Sequence, residues 1–382
     1  MRNRKLIDPA QKFFEQIISG VAKNEGFSVV SISALPVSAS TVKKKIFRRF
    51  NENDNNVEYI YPFFINGKIL RYISLYLSCL MEAFSLFRKE KNRRDIVVIC
   101  DPLNIQVSKA VHLAAKICGI KAVAVVTDVP YWATEMKQHG YSRFRHWLQK
   151  KYEKLSMNEM MSYDGYVNLT KYMDSVVNPR KLPSIVVEGS VDVDVINNSM
   201  SIAKTNKIIM YAGGVYEKYG LGMLVNGFIQ AKLDDVELHI YGEGSYVDTL
   251  VKICKDNSNI KYMGVALNTD LPKLEAEATL LVNPRFSNEE YTKYSFPSKT
   301  LEYMSSGTSV LSTRLKGIPE DYKPYLFWLD EESVGGMALT LKKIFSKDDE
   351  YLNNFGRKAK NFAKSKSNVL QGKKITTFVK EL

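Results

Sequence analysis

The chain has 382 residues, which is enough for two domains of ordinary size. Its 45% hydrophobic and 25% charged residues are ordinary for a soluble globular protein, and the absence of a low-complexity tract or a 20–50-residue repeat excludes fibrous and solenoid architectures. The four cysteines lie among apolar neighbours without metal-site spacing, which indicates buried thiols in a reducing cytosol: Cys79, Cys100, Cys118 and Cys254.

The positive charge is concentrated in the first half of the chain. Residues 1–190 carry 29 Lys and Arg against 17 Asp and Glu, whereas residues 191–382 carry 25 against 24. A basic half indicates an anionic partner, such as a nucleic acid, anionic lipid headgroups or a phosphorylated substrate. The alternative is that these side chains only solvate helix surfaces.

The first predicted element is a helix, not a strand. Asp8-Pro9 is a typical helix start, and the apolar residues that follow have helical spacing up to Val21. The N-terminus has no apolar signal segment. Residues 27–33 are predicted to form a strand. Because a Rossmann-like domain normally opens with a strand, we expect either that the chain lacks its natural start or that a short first strand is poorly encoded.

The most apolar window runs from Ile69 to Phe87. Arg71 and Glu82 interrupt it, and a transmembrane helix needs about 20 nearly uninterrupted apolar residues. We therefore expect a buried or interfacial amphipathic helix.

Alternating strands and helices follow, at 96–100, 105–118 and 122–127, and they predict a parallel sheet with helices on both faces. Asp128 comes directly after the last of these strands, so it faces the ligand-binding edge of such a sheet. Tyr131 and His139 lie in the same loop region. Loop capping by Asp128 and an ordinary surface position for His139 are the alternatives. His112 is expected in the core.

The second half repeats the alternation. Strands are predicted at 208–212, 237–241, 260–263, 280–283 and 309–313, and helices at about 220–232, 244–256, 270–277, 298–306 and 351–382. We predict a first Rossmann-like domain over 1–190, with or without its first strand, a second over 191–360, and a C-terminal helix, 361–382, that packs back on the first domain.

Two glycine-bearing loops follow consecutive strands of the second domain. Gly213 and Gly214 open the first loop, which contains Lys218, and Gly242 and Gly244 lie in the second. Glycine lets backbone N–H groups approach an anion, and the carboxyl edge of a parallel sheet is where ligands bind. A plain strand-to-helix turn is the alternative for each loop.

The strongest pattern runs from Asn283 to Gly307. A buried strand leads into a polar loop, and a helix begins near Pro297, so its N-terminal N–H groups suit a diphosphate. Arg285 and Lys299 add positive charge, and Glu302 can accept hydrogen bonds from a ribose diol. The alternative for Glu302 is charge stabilisation of the helix start, worth about 0.3–1 kcal/mol.

The strings GGVYEKYGL, HIYGEG, KYMGV, LLVNPR and YSFPSKTLEYMSSGTSVLST resemble the C-terminal domain of retaining GT-B glycosyltransferases. The resemblance covers about 207–320 well, extends more loosely to 126–131, 163–173 and 187–193, and is closest to enzymes of bacterial capsular and exopolysaccharide synthesis. It implies an α/β fold of two Rossmann-like, doubly wound parallel-sheet domains that face each other across a cleft.

The resemblance also implies a donor site in the second domain. Glu302 matches the second glutamate of the family's pair, whereas Tyr294 stands where the first would be. Gly214 and Tyr219 stand where many relatives have Arg and Lys. The implied catalytic residues are Glu302, Lys299 and Asp128. The implied donor-binding residues are Gly213, Gly214, Lys218, Gly242, Gly244, Val265, Arg285, Tyr294, Ser295, Phe296, Lys299 and Glu302.

By this resemblance, the chain transfers a sugar from a nucleotide diphosphate donor, UDP-linked by preference, to a lipid-linked or polysaccharide acceptor. No metal or other cofactor is expected, because cations and the helix start stabilise the leaving group. Asp192-Val-Asp194 contains the D-x-D of another glycosyltransferase fold, and we expect no metal there. The basic aromatic stretch 143–154, with Trp147, His146 and the preceding Tyr141, fits an anionic membrane surface at the cytoplasmic face or, alternatively, a solvated helix.

Two other functions are alternatives to sugar transfer. Tyr294, Gly214 and Tyr219 depart from the family pattern, which fits a degenerate, non-catalytic partner subunit or a sugar-nucleotide-binding module. Nucleic-acid binding is disfavoured because the basic half shows no recognisable nucleic-acid-binding module.

Overall fold

The computed structural model describes residues 9–37, 42–90, 92–129, 143–198, 204 and 206–382. These residues form two compact units. The C-terminal unit contains residues 9–16 together with the described part of 189–368, and the N-terminal unit contains the described part of 17–188 together with 369–382. The predicted boundary near 190 differs from this division at the start of the chain, because residues 9–16 cluster with the C-terminal unit.

The described helices, in chain order, are α1 (Pro9–Ala22), α2 (Lys68–Lys89), α3 (Ile105–Cys118), α4 (Arg143–Met160), α5 (Lys171–Val177), α6 (Val193–Asn198), α7 (Leu221–Ala231), α8 (Val247–Asp256), α9 (Leu271–Glu277), α10 (Ser298–Ser306), α11 (Val334–Phe345), α12 (Asp349–Lys364) and α13 (Asn368–Lys380). The described strands are β1 (Val29–Ile32), β2 (Ile46–Phe47), β3 (Phe50–Asp54), β4 (Val57–Tyr61), β5 (Phe64–Ile65), β6 (Val97–Cys100), β7 (Lys121–Val126), β8 (Gly165–Asn168), β9 (Ser184–Val186), β10 (Lys207–Ala212), β11 (Val236–Tyr241), β12 (Ile260–Gly264), β13 (Leu280–Asn283), β14 (Ser309–Thr313) and β15 (Phe327–Leu329).

The sheet of the C-terminal unit has six parallel strands in the order β12-β11-β10-β13-β14-β15. Counted from β10, this is the order 3-2-1-4-5-6 of a Rossmann sheet. The strand order reverses between β10 and β13, and ligands of such sheets bind at the carboxyl edge beside that point. The predicted parallel sheet is therefore confirmed, and its topology marks where a ligand site is expected.

Side chains of β10 alternate between two apolar cores on opposite faces of this sheet. Ile209 and Tyr211 belong to the core on one face, whereas Met210 and Ala212 belong to the core on the other. Because successive strand residues point to opposite faces, a strand covered on both sides is apolar throughout. This explains the uninterrupted apolar run that predicted the strand.

The N-terminal unit contains a four-stranded parallel sheet in the order β6-β7-β8-β9. The predicted strand over 27–33 is present as β1, but it pairs with β4 in a separate three-stranded sheet, order β1-β4-β3. β3 and β4 form a hairpin through Asn55 and Asn56, both with positive φ (49° and 64°).

The long helix predicted over 351–382 is wrong in one respect, because the segment forms two helices, α12 and α13. Between them the backbone pairs with Val191, whose N–H donates to the carbonyl of Lys366 (3.2 Å) and whose carbonyl accepts from the N–H of Asn368 (2.8 Å). These bonds take backbone groups that a continuous helix would need for its own ladder.

Candidate functional site

Hydrogen bonds hold the two glycine loops of the C-terminal unit against each other. The N–H of Gly213 donates to the carbonyl of Tyr241 (3.0 Å), and the N–H of Val215 donates to the carbonyl of Glu243 (2.9 Å). Gly242 and Gly244 have φ of 132° and 158°, and an added Cβ would lie 1.8 Å and 2.2 Å from the carbonyl oxygens of Gly213 and Val215. Only glycine fits these two positions.

Two cations lie over one aromatic ring beside the first loop. The guanidinium carbon of Arg285 is 4.8 Å from the centroid of the Tyr219 ring, and Nζ of Lys218 is 5.4 Å from the same centroid. Arg285 comes from the loop after β13, so the two loops meet here. Tyr219 stands where the resembling family often has a cation, and the structure places the Arg285 charge on that ring instead.

A buried hydrogen bond joins the end of β13 to α10. The side-chain amide of Asn283 donates to the hydroxyl of Thr300 at 3.0 Å, and α10 has the bounds predicted from the sequence. No described side chain caps the first turn of α10, where Pro297 holds the N-cap position. The unsatisfied N–H groups of that turn suit an anion.

In the segment before α10, backbone groups are better placed than side chains to contact a ligand. Phe296 is buried against Tyr322, with ring centroids 5.5 Å apart, whereas Tyr294 and Ser295 are only partly buried. Within the described residues, the N–H groups of Ser295 and Phe296 donate to no protein acceptor. Tyr294 ends a short 3₁₀ turn, and Nζ of Lys293 lies 4.9 Å from its ring centroid.

Both carboxylate oxygens of Glu302 accept hydrogen bonds from lysines. Oε1 is 2.5 Å from Nζ of Lys12, and Oε2 is 2.9 Å from Nζ of Lys299. Burial alone would raise the pKa of Glu302, but the two lysines outweigh burial and lower it. The same ion pair keeps the pKa of Lys299 raised in spite of its burial. Glu302 is therefore a charged, positioned acceptor.

Two residues of this cluster were missed by the sequence analysis. Lys12 lies 290 positions from Glu302 in the chain, so no local pattern indicates their contact. Glu275, on α9, is 4% exposed, and burial raises its pKa to about 7, with opposing effects from Lys299 and Glu302. Its apolar neighbours in the sequence, Leu274 and Ala276, were the available signal.

Val265 follows β12 at the same edge of the sheet. The N–H of Gly242 donates to the carbonyl of Gly264 at 2.8 Å, which sets this loop beside the second glycine loop. The Val265 side chain is exposed. The predicted donor residues of the C-terminal unit therefore lie on neighbouring loops and on the start of α10, while their contacts with a nucleotide stay predictions.

Asp128 belongs to the N-terminal unit and follows β7. Its Oδ1 accepts the N–H of Val129 at 2.8 Å, and burial raises its pKa while this hydrogen bond lowers it. The bond is the loop-capping contact that the sequence offered as an alternative. Tyr131, His139 and Tyr141 lie outside the described residues. His112 is buried as predicted, and its Nδ1 lies 2.7 Å from Oε1 of Glu159.

The described residues contain no group of three or more His, Cys, Asp or Glu side chains that could hold a metal ion. In the D-x-D sequence, Oδ1 of Asp192 accepts the N–H of Asp194 at 3.0 Å, at the start of α6. Asp192 thus has a local structural contact.

Residues 206–346 match the family model described as "Glycosyl transferases group 1". This stretch covers the six-stranded sheet, both glycine loops and α10. The C-terminal unit therefore contains a group 1 glycosyltransferase domain. Comparison with curated proteins found no significant match.

Solved structures show the fold of the whole chain. Sucrose-phosphate synthase from Thermosynechococcus elongatus is 10% identical, with 98% of this chain and 93% of that chain covered and a TM-score of 0.69. Anabaena Alr3699/HepE in complex with UDP is 12% identical (85% and 86% covered, TM-score 0.59). S. aureus TarM in complex with Fondaparinux, alpha-GlcNAc-glycerol and UDP is 17% identical (84% of this chain and 62% of that chain, TM-score 0.58). The chain therefore has the two-domain, Rossmann-like GT-B fold.

Proposed function

We propose that this glycosyltransferase moves a sugar from a UDP-sugar to a lipid-linked saccharide or polysaccharide acceptor in cell-surface polysaccharide synthesis, with retention of the anomeric configuration. The observation that carries the donor part is the convergence of two glycine loops, Arg285 and the uncapped start of α10 at one edge of the C-terminal sheet. UDP is favoured over other nucleotides because the HepE and TarM structures contain it.

In this proposal each group has a separate task. The N–H groups at the start of α10, with Lys299 and Arg285, stabilise the diphosphate. Glu302 accepts hydrogen bonds from the ribose hydroxyls, and Val265 lies beside the base. The backbone N–H groups of Ser295 and Phe296 contact the sugar and the phosphate. Tyr294 does not take the role of the carboxylate that the family has at this position. Cations and the helix start act where other transferases use a metal.

The chemical step needs no protein nucleophile in this scheme. The acceptor oxygen bonds to the anomeric carbon on the face from which UDP leaves, as the bond from that carbon to the β-phosphate oxygen breaks. The acceptor proton passes to the departing phosphate oxygen, so that the charges balance. The helix start and cations lower the barrier because negative charge grows on that phosphate as the bond breaks. Asp128 is proposed to bind the acceptor from the N-terminal unit.

We further propose that the acceptor is reached at the cytoplasmic face of an anionic membrane. Trp147 on α4 is exposed, and Nζ of Lys151 lies 4.5 Å from its ring centroid. Lys150 and Lys154 are exposed on the same helix. An aromatic residue among cations suits the headgroup region of a bilayer.

Nucleotide binding tests the donor site. Ligand that binds only the folded state raises the melting temperature by mass action, so we expect UDP and one or more UDP-sugars, but not GDP, ADP or dTDP, to stabilise the protein. Glu302→Gln keeps the side-chain shape and should lose most of that shift. Glu350→Gln, at an exposed position of α12, is the matched control.

Two outcomes would change the proposal. If Glu302→Gln keeps the full shift, the ribose assignment is wrong. If UDP binds but no UDP-sugar is turned over with lipid-linked or polysaccharide acceptors, the departure at Tyr294 supports a non-catalytic partner subunit.

A further inference from the structure

Helix α2 has two opposite apolar faces. Its inner face, with Leu75, Cys79 and Ala83, is fully buried. Its outer face has Ile69, Ile73, Leu77 and Met81, which are between 50% and 73% exposed. Residues four apart lie on one side of a helix, so these four form a continuous apolar line, here called the outer stripe. A surface helix normally has polar residues there.

The inner face already packs on protein, against α3 and the region of β5. By length and composition alone α2 is apolar enough to cross a membrane, a test that core helices of soluble proteins also pass. Only 22% of its most apolar window is buried, however, unlike a core helix. A helix with one face on protein and one uncovered apolar face suits a position in the plane of a bilayer interface.

A run of cations lies beside the outer stripe. Lys43, Lys44, Lys45, Arg48 and Arg49 are all exposed, and these residues, 43–49, are called the basic segment. Its strand β2 pairs with β5, which directly precedes α2. The backbone N–H of Asn66 donates to the carbonyl of Lys45 at 2.6 Å. The basic segment is therefore fixed at the start of α2.

An ion pair holds the end of the basic segment to α2. Nε of Arg49 is 2.6 Å from Oε1 of Glu82. This pairing neutralises the acidic residue that interrupts the apolar helix and leaves the other cations of the segment exposed to an anionic partner.

Helix α4 of the same unit also has exposed apolar side chains. Leu148, Tyr152 and Leu155 are exposed at helical spacing. Tyr72 of α2 is also exposed. Helices α2 and α4 thus both present apolar and aromatic side chains on the N-terminal unit.

A second copy of the chain is a poorer occupant than lipid. In a two-fold dimer the same patch meets itself, so the basic segments of both copies would be brought close together. Like charges at close range repel, whereas anionic headgroups neutralise them and acyl chains cover the outer stripe.

We propose that the outer stripe of α2 and the basic segment form a docking surface for an anionic lipid bilayer, with α2 lying in the interface. The inference deepens the proposed function. It rests on that function in one point only, which is that a lipid-linked acceptor requires the protein to bind at the membrane. It adds an apolar insertion surface to the cationic one expected on α4.

Vesicle flotation of the full chain tests the proposal. We expect binding to vesicles of phosphatidylcholine with phosphatidylglycerol and little binding to phosphatidylcholine alone, decreasing as salt increases. The double variant Ile73→Ser and Leu77→Ser should lower the bound fraction about tenfold or more. Lys44→Glu with Arg48→Glu should do the same. Leu339→Ser, at an isolated exposed position of α11, is the matched control and should bind as the unmodified chain does.

The outcomes separate this proposal from the donor site. Equal binding to both vesicle types, or full binding by the outer-stripe variant with an unchanged melting temperature, overturns the docking surface. A dimer in solution that the outer-stripe variant dissociates, without vesicle binding, assigns the surface to a second copy and also overturns it. UDP stabilisation is measured on the same samples without vesicles, so loss of UDP binding with intact vesicle binding contradicts only the donor assignment.

Discussion

Both oxygens of the Glu302 carboxylate accept hydrogen bonds from ammonium groups, yet a carboxylate has about four lone-pair directions. Lys12 and Lys299 use one on each oxygen, so two remain for the two hydroxyls of a ribose. The lysines therefore hold the acceptor in a fixed, ionised state without filling it. Sequence reasoning found Glu302 and Lys299 because they share a helix turn, and it missed Lys12 because only tertiary structure brings α1 to α10.

Lys12→Met should weaken donor binding, because it keeps the aliphatic stem and removes the charge that holds Oε1 of Glu302. The Lys12 side chain is half exposed, so we expect a modest increase in the KM for UDP-sugar, about three- to tenfold, with a smaller change in kcat. Lys12→Arg should restore the KM. Steady-state kinetics in donor concentration measures both, and tighter donor binding by Lys12→Met would mean that Lys12 competes with the ribose.

Glu275 makes the stability of the C-terminal unit depend on pH. Its pKa is raised from 4.5 to about 7, so the folded state keeps a proton that the unfolded chain loses near pH 4.5. Stability from this group is therefore fully present below about pH 4.5 and is lost as the pH rises to about 7. The loss corresponds to about 3 kcal/mol at most.

Glu275→Gln should remove this dependence because glutamine stays neutral. Relative to the unmodified protein, the melting temperature of the variant should rise by about 5 °C between pH 5 and pH 8. Differential scanning calorimetry at the two pH values measures the difference. Parallel changes in the two proteins would show that Glu275 is ionised in the folded state at both pH values.

Elements bounded by clear chemical signals were predicted well. The sequence placed α10 within its observed bounds, 298–306, because Pro297 precedes it and Gly307 follows it. Helix α3 was predicted equally well. The strands of the C-terminal sheet were found from their apolar runs, since a strand buried on both faces has few polar residues.

Elements that depend on exposed or distant contacts were predicted poorly. No element was assigned to 42–66, where β3 is largely exposed and polar, although Asn55-Asn56 between β3 and β4 was a usable hairpin signal. The break between α12 and α13 depends on backbone bonds to Val191, about 175 residues earlier in the chain. The outer stripe of α2 was also not predicted. An apolar helix sequence does not show which of its faces packs on protein and which is exposed.

For the whole molecule, alternation of strands and helices was enough to predict a two-part α/β protein, because parallel strands need helical crossovers. It was not enough to predict strand order in the N-terminal unit, where β1 pairs with β4 outside the four-stranded sheet. Nor did it predict that residues 9–16 cluster with the C-terminal unit. Assignments of that kind depend on contacts between residues hundreds of positions apart.

A crystal structure of the protein with bound UDP is the decisive test of the donor site, because it shows where the nucleotide lies. We expect ribose hydroxyls at ~3 Å from Glu302 and diphosphate oxygens at ~3 Å from the first N–H groups of α10. We also expect the Lys12–Glu302 contact to persist. UDP bound away from the edge formed by Gly213, Gly242 and α10, or a ribose that does not contact Glu302, would show that the donor site is wrongly placed.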